Sequence, residues 1–97
     1  MSEKTVFKLS KPIKVGDEEV AQIELRDPVG QDLLDIGYPY LVTLGDGEGE
    51  RIELRPKVMA KYVSRLAAIP PSSVTQISMP DLQRLQGVVM GFFGASE

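Results

Sequence analysis

Apolar and polar residues alternate through the first quarter of the chain, and a period of two is typical of a β-strand with one buried face. The alternation occupies two segments, with apolar residues Phe7, Leu9, Ile13 and Val15 in the first and Ala21, Ile23 and Leu25 in the second. Glycine and aspartate separate the segments at positions 16–17, which is the composition of a turn. The pattern therefore predicts an antiparallel β-hairpin over residues 5–26.

The parity of the apolar positions constrains the turn of this hairpin, because residues directly opposite in an antiparallel pair share a face. A two-residue loop at positions 16–17 would place most apolar residues of one strand opposite polar residues of the other. A three-residue loop at 16–18 would keep a single apolar face and would pair Ile13 with Ala21, so we expect either such a loop or a bulge. Pro12 has no N–H to donate to a ladder, so we expect it at an edge position or in a bulge.

Two segments with apolar residues at helical spacing follow the hairpin. Asp27-Pro28 has the form of an N-cap and a first helical residue, so a short helix is predicted over residues 28–37. Gly37 is its expected stop. A second and better helix is predicted over residues 56–69. The apolar faces consist of Val29, Leu33 and Ile36 in the first helix, and of Val58, Met59, Tyr62, Val63, Leu66 and Ile69 in the second.

A last helix is predicted over residues 79–93, because the tandem prolines after residue 69 cannot continue the preceding one. Ser78 and Asp81 resemble a capping box at its start. Its apolar stripe comprises Leu82, Leu85, Val89 and Phe92 or Phe93. Two glycines one turn apart, Gly87 and Gly91, weaken this helix and would let another backbone approach closely.

Residues 38–55 are compatible with more than one structure. YLVTL and RIELR have strand character, and GDGEGE between them is an acidic, glycine-rich turn or linker. These segments predict either a second short hairpin or a loop, and an extension of the first helix into them is the remaining alternative. The acidic glycine run lacks the full ligand set and the terminal glutamate of a calcium loop, so a solvated loop is favoured over a calcium site.

Together these elements predict one α+β domain over residues 1–97. An N-terminal antiparallel β-hairpin is followed by two or three helices that pack on its apolar face. Because a two-stranded hairpin is marginally stable in water, the helices or further copies of the chain must complete the core. A homo-oligomer is therefore among the assemblies that the sequence allows.

Composition argues against most catalytic chemistry. The 97 residues include no cysteine and no histidine, which removes disulfides, thiolate nucleophiles, the common zinc ligands and the usual proton shuttle. Neither standard phosphate-binding glycine motif is present. Paired carboxylates such as Asp32 and Asp35 are better explained as surface acids than as a glycosidase pair. We therefore expect a protein that is not an enzyme and that binds no cofactor and no metal.

Charge and hydropathy limit the expected partners. The net charge is −3, and the basic residues are dispersed among acids. Neither nucleic acid nor an anionic membrane is therefore an expected partner. The apolar run GVVMGFFGA is far shorter than the ~20 residues of a membrane span. The opening MSEKTVFKLS has no apolar core of signal-peptide length.

Two long stretches carry a recognisable order of motifs, LSKPIKVGDEEVAQIELRDPVGQDLLDIG and RLAAIPPSSVTQISMPDLQRLQGVVMGFF. They resemble the opening and the end of the phage tail assembly chaperone family, the group of the Mu-like and P2-like E proteins. The matching positions are Leu9, Lys11, Pro12, Ile13, Gly16, Leu25, Arg26, Pro28, Asp32, Leu66, Asp81 and Leu82. The similarity covers nearly the whole chain, whereas residues 38–55 match no pattern of the family.

This resemblance implies a non-catalytic protein that acts during tail assembly. Such chaperones bind the long, mostly helical tape-measure protein, keep it soluble and help to recruit tail-tube subunits around it. They are absent from the finished virion, and their expected location is the cytoplasm of an infected or lysogenic host. A longer product of the same gene, made by ribosomal frameshifting near its end, is a further partner that the family implies.

The C-terminal stripe is the predicted contact with such a client: Leu85, Val89, Met90, Phe92 and Phe93. Methionine and phenylalanine adapt to partners of varied shape. The competing interpretation, that the stripe is core of the monomer, is favoured for Leu85 and Val89. It is as strong as the contact interpretation for Phe92-Phe93, because two adjacent aromatics cannot both point inward.

Two other functions compete with the chaperone. The main alternative is a small structural tail or baseplate subunit, which mass spectrometry of purified virions would detect in many copies. An unrelated small enzyme or regulator is the third hypothesis, and a ligand or activity screen tests it.

Overall fold

The computed structural model describes residues 4–45 and 49–94, and in these residues it shows an α+β fold of two antiparallel hairpins and four helices. The first hairpin pairs β1 (Thr5–Val15) with β2 (Glu18–Leu25), and the second pairs β3 (Tyr40–Gly45) with β4 (Gly49–Leu54). The helices are α1 (Gly30–Ile36), α2 (Pro56–Ala67), α3 (Pro71–Val74) and α4 (Met79–Phe92). The predicted class and the N-terminal hairpin are confirmed.

The first hairpin changes its register inside β1 rather than at its turn. Ile13 pairs with Val20 across a two-residue turn, so the predicted three-residue loop that pairs Ile13 with Ala21 is wrong. The register then shifts within β1, and beyond the shift Phe7 lies opposite Ile23. The irregularity within β1 changes which side of the hairpin the following side chains point to, as a loop of odd length would. The hairpin thereby keeps its apolar residues on one face.

The shifted part of β1 contains Pro12, as expected for a bulge, and it is held by a carboxylate from α4. Asp81 accepts hydrogen bonds from the Ser10 N–H at 2.9 Å, the Ser10 hydroxyl at 3.0 Å and the Lys11 N–H at 3.4 Å. A bulge leaves backbone N–H groups without a ladder partner, and these groups need an acceptor. Asp81 supplies that acceptor and ties β1 to the start of α4.

Helix α2 forms the centre of the core. The predicted apolar residues of this segment are all buried: Val58, Met59, Tyr62, Val63, Leu66 and Ile69. The helix packs against β2, α1, α3 and α4. The Arg26 N–H at the end of β2 donates to the Leu66 carbonyl at 3.1 Å, which joins the first hairpin to the end of α2. The helical period of the sequence therefore identified the main core element correctly.

Helix α1 begins two residues later than the Asp27-Pro28 signal predicts. Val29 is its N-cap and is 59% exposed, so its predicted place on a buried helix face is wrong. The N-cap role predicted for Asp27 is therefore wrong, and Asp32 in the first turn instead accepts a hydrogen bond from the Val29 N–H at 2.8 Å. Gly37 ends the helix as predicted, with a positive φ of 95°.

The segment between α2 and α4 contains a short helix that the sequence did not indicate. Proline is tolerated in a first helical turn, so Pro71 starts α3 as well as separating it from α2. The cap of α4 is as predicted, with the Asp81 N–H donating to the Ser78 hydroxyl at 3.4 Å. A Cβ added at Gly87 or Gly91 would meet no atom within 4 Å, so the predicted close backbone approach is absent from the described residues.

Residues 38–55, for which several structures were open, contain the second hairpin. Its antiparallel pairs include Tyr40–Leu54 and Val42–Ile52. No helix or strand outside the hairpin packs against β3 or β4 in the described ranges. The question of a calcium loop falls on residues 46–48, which lie outside the described residues.

Candidate functional site

The second hairpin presents a sheet face without a partner in the described part of the chain. Four apolar residues form this surface, which we call the hairpin face: Tyr40, Val42, Ile52 and Leu54. They share a face because directly opposite residues of an antiparallel pair point to the same side. Val42, Ile52 and Leu54 are 51%, 54% and 41% exposed. Contiguous exposed apolar side chains are typical of an interaction surface.

The opposite side of the hairpin is mixed in character. Its exposed residues are Leu41, Thr43, Arg51 and Glu53. One side is thus apolar and the other partly charged, which is the pattern of a sheet with one face meant for burial. An isolated two-stranded hairpin is marginally stable in water. Burial of the hairpin face against a partner would therefore stabilise the hairpin as well as the contact.

Aromatic rings join the base of the hairpin to the body of the protein. The Phe93 ring, at the C-terminal end of α4, has its centroid 6.3 Å from that of Tyr40, 6.1 Å from that of Tyr38 and 5.3 Å from that of Tyr62. Tyr62 is fully buried, and its hydroxyl donates to the Gly37 carbonyl at 2.7 Å. The cluster holds the base of the hairpin and extends its apolar surface to the end of α4.

The five residues predicted from the sequence to contact a client divide into two groups. Leu85 and Val89 are 0% exposed and pack in the core of the monomer. Met90, Phe92 and Phe93 are partly buried at the C-terminal end of α4. Phe93 touches the base of the second hairpin, so the accessible end of the predicted stripe adjoins the hairpin face.

The hairpin face was missed as a candidate contact, although its signal is visible in the sequence. Tyr40 and Val42 alternate with neighbours in one strand, and Ile52 and Leu54 alternate with charged residues in the other. A period of two identifies which side of a strand is apolar. It does not identify what covers that side, because the packing partners of a strand depend on tertiary structure.

Asp32 is a buried carboxylate whose arginine partners, Arg26 and Arg65, are more than one-third exposed. Arg26 donates to both of its carboxylate oxygens at 2.9 Å, and the Arg65 Nε lies 2.8 Å from Oδ1. The Arg26 hydrogen bonds outweigh burial and, with the Val29 N–H, lower the pKa of Asp32 from 3.8 to about 2. The Arg65 Nη2 also forms an ion pair with Asp35, 2.7 Å from its Oδ2. The interpretation of Asp32 as a surface acid is therefore wrong, because the residue is 1% exposed.

Asp81 is a second buried carboxylate whose partners are structural. Burial raises its pKa, but hydrogen bonds from Arg84 and Ser10 prevail and lower the pKa to about 2. Asp32 and Asp81 are therefore ionised at neutral pH and engaged with donors of their own chain. A general acid or base would need a pKa near the working pH, which neither residue has.

Neither a metal site nor a membrane-spanning helix occurs in the described residues. In residues 4–45 and 49–94, no group of three or more histidine, cysteine, aspartate or glutamate side chains is placed to hold a metal ion. None of the helices in those ranges has both the length and the apolar character needed to cross a membrane. At the hairpin face, the available interaction is apolar contact, because none of its four side chains is charged.

A protein-family model described as "Phage tail assembly chaperone proteins, E, or 41 or 14" matches residues 6–94. The match extends over nearly the whole chain and includes both stretches that carry the resemblance as well as the second hairpin. Comparisons with curated proteins and with solved structures gave no match.

Proposed function

The chain belongs to the phage tail assembly chaperone family, and on this premise we propose that it binds the tape-measure protein while a phage tail is built. Binding is non-catalytic, since the protein covers apolar helical surface of its client and makes or breaks no covalent bond. The observation that carries the proposal is the hairpin face, where Val42 is 51% and Ile52 54% exposed.

The hairpin face suits an amphipathic helix as its occupant. Paired strands lie about 4.8 Å apart, so their apolar side chains form a narrow, nearly flat strip. A helix with apolar residues at i, i+3, i+4 and i+7 presents a stripe of matching width. Completing the burial of a half-exposed valine or isoleucine contributes about 1 kcal/mol, so several such contacts together support specific binding.

The end of α4 is the proposed continuation of this contact. Met90, Phe92 and Phe93 are partly buried, and Phe93 lies against Tyr40 at the base of the hairpin. A helical client on the hairpin face would therefore reach flexible and aromatic side chains as it passes the body. The net charge of −3 on the whole chain favours solubility of the resulting complex.

Further partners and the location follow from the family and are part of the same proposal. The protein helps to recruit tail-tube subunits around the client, works with a longer frameshifted form of itself in the cytoplasm of the host, and leaves before the virion is complete. Mass spectrometry of purified virions tests the last step, and we expect no peptides of this chain. Detection in many copies per particle would instead support a structural tail or baseplate subunit.

Co-expression with the tape-measure protein tests the proposed binding. The double variant Val42→Thr/Ile52→Thr removes apolar surface and keeps β-branched side chains, which strands accept well. We expect the affinity for the client to fall about tenfold or more, given about 1 kcal/mol for each lost contact. The measurements are the soluble fraction of the client and the amount recovered with the tagged chaperone.

A matched control is available on α1. Leu34 is 82% exposed and lies outside the hairpin, so Leu34→Gln removes at least as much exposed apolar surface elsewhere. We expect client binding by this variant to equal that of the wild type. Equal binding by the double hairpin variant, with its circular dichroism unchanged, would contradict the hairpin face as the contact.

A further inference from the structure

Strand β4 has a free edge in the described structure. β3 is its one ladder partner there, and Arg51, Ile52 and Glu53 are all exposed. Neither proline nor lysine occurs in Gly49–Leu54. The β1 strand, by contrast, carries Pro12 within a register shift. Unpaired strand edges attract other strands unless proline, a bulge or charged side chains prevent it, and the charges of Arg51 and Glu53 are of opposite sign, so a second copy can neutralise them.

The hydrogen-bond register shows which backbone groups point out of this edge. The Arg55 N–H donates to the Pro39 carbonyl at 2.9 Å, so residue 55 directs its backbone groups toward β3. Successive residues of a strand direct these groups to opposite sides. The odd-numbered residues of β4 therefore face β3, and the even-numbered residues face outward. Ile52 is the central residue with an outward N–H and carbonyl.

The sequence of β4 is complementary to itself when two copies run antiparallel. With Ile52 opposite Ile52 of a second copy, Arg51 lies opposite Glu53 of that copy, and Glu53 lies opposite its Arg51. These positions are non-hydrogen-bonded pairs, in which opposite side chains approach most closely. In the nearest alternative registers, the even-numbered residues still direct their backbone groups at the second copy. These registers place Arg51 opposite Arg51, or Glu53 opposite Glu53. The charges thus favour one register and oppose its neighbours.

We propose that β4 pairs with β4 of a second copy across a two-fold axis at Ile52, and that this makes the protein a homodimer. The two Ile52 residues exchange backbone hydrogen bonds at the axis, and the contact is isologous. The result is a four-stranded sheet in the order β3-β4-β4-β3. The hairpin faces of both copies become one apolar surface, and the two Arg51–Glu53 pairs lie on the opposite side.

The free edge of β3 lacks the same complementarity. Antiparallel pairing centred on Val42 would place Leu41 opposite Thr43, with no charge to select a register. The β4 edge is therefore the one that the observations favour.

The dimer does not rest on the proposed client. It is a property of the isolated chain, and it is measured without a tape-measure protein. If the wild type is monomeric, the proposed dimer is wrong, whereas the proposal that a single hairpin face binds the client still stands. Arg51→Glu or Glu53→Arg should weaken the dimer and leave the hairpin face of each copy unchanged, because residues 51 and 53 lie on the opposite side of the hairpin.

Charge reversal tests the proposed register by analytical ultracentrifugation of the full chain. Arg51→Glu and Glu53→Arg each replace two attractive pairs with two repulsive ones, so each variant should raise the dimer dissociation constant about tenfold or more. The double variant Arg51→Glu/Glu53→Arg restores opposite charges and should dimerise like the wild type. An equimolar mixture of the two single variants should form a heterodimer, because one supplies two glutamates and the other two arginines.

Three results would overturn the proposal. The first is a wild type that sediments as a monomer at protein concentrations up to about 1 mM. Any dimer dissociation constant would then lie above that concentration. The second is a dimer whose dissociation constant is unchanged in both single variants, since that dimer would use another surface. The third is a mixture of single variants that stays monomeric while each has the wild-type circular dichroism. Folded variants that associate only when mixed would establish the register.

Discussion

At the scale of single residues, two buried carboxylates hold the elements of the fold together. Asp81 caps the bulge of β1 from the first turn of α4, and Asp32 joins Arg26, after β2, to Arg65 in α2. Asp32 and Asp81 are also among the positions that carry the family resemblance. The recognisable motifs of this sequence therefore include contacts that maintain the fold, whereas the hairpin face lies in the segment where no motif was recognised.

Asp32→Asn should lower the free energy of unfolding by about 2 kcal/mol, because it removes the shared counter-charge of two arginines in a buried position. Chemical denaturation measures the loss. Asp35→Asn is the matched control, since Asp35 bonds Arg65 from an exposed position and should have a much smaller effect. An equal loss in the two variants would mean that burial of Asp32 is not what makes its ion pairs important.

The lowered pKa values predict how stability depends on pH. Asp32 and Asp81 each have a folded-state pKa of about 2, below the ordinary value of 3.8. Their contribution is thus fully present above about pH 4 and is lost as the pH falls toward about 2. Unfolding curves recorded across this interval should show the decline, and Asp32→Asn should show a shallower one. Equal slopes in both proteins would contradict the assignment to Asp32.

At the scale of elements, the sequence predicted periodic segments better than their junctions. The apolar face of α2 follows from spacing alone, and all of its predicted residues are buried. The errors lie where elements begin or turn: the register of the first hairpin shifts within β1 rather than at its turn, and α1 has Val29 rather than Asp27 as its N-cap.

Helix α4 contains a glycine whose replacement should stabilise the protein. Gly87 is exposed in the middle of the helix, and an added Cβ would meet no atom within 4 Å. Gly87→Ala should therefore raise the free energy of unfolding by about 0.5–1 kcal/mol, because alanine loses less backbone entropy in a helix. The measurement is the urea midpoint at an unchanged slope.

Gly37 provides the contrasting glycine substitution. It ends α1 with a φ of 95°, a conformation that alanine adopts only with strain. Gly37→Ala should lower the free energy of unfolding by about 1 kcal/mol or more. Destabilisation by Gly87→Ala as well would show that α4 does not have the open surface described at that position.

At the scale of the whole molecule, the fold combines a body whose apolar faces are buried with a hairpin whose apolar face is exposed. The body buries the apolar faces of β1, β2, α2 and α4 around one core. The second hairpin keeps its apolar side exposed, with Ile52 at 54%. Alternation in the sequence predicted this hairpin as one of several structures, but which residues cover its apolar side depends on tertiary packing, and none of the described elements does so. For that reason the predicted client contact fell on α4, where Leu85 and Val89 belong to the core.

Site-specific photocrosslinking tests the central claim most directly, namely that the hairpin face covers helical surface of a client. A photoreactive phenylalanine derivative would replace Ile52 in one variant and Leu34 in another, each co-expressed with the tape-measure protein. If the hairpin face binds the client, we expect an adduct with the tape-measure protein from position 52 and none from position 34. A complex that forms normally but crosslinks equally from both positions, or from position 34 alone, would contradict it.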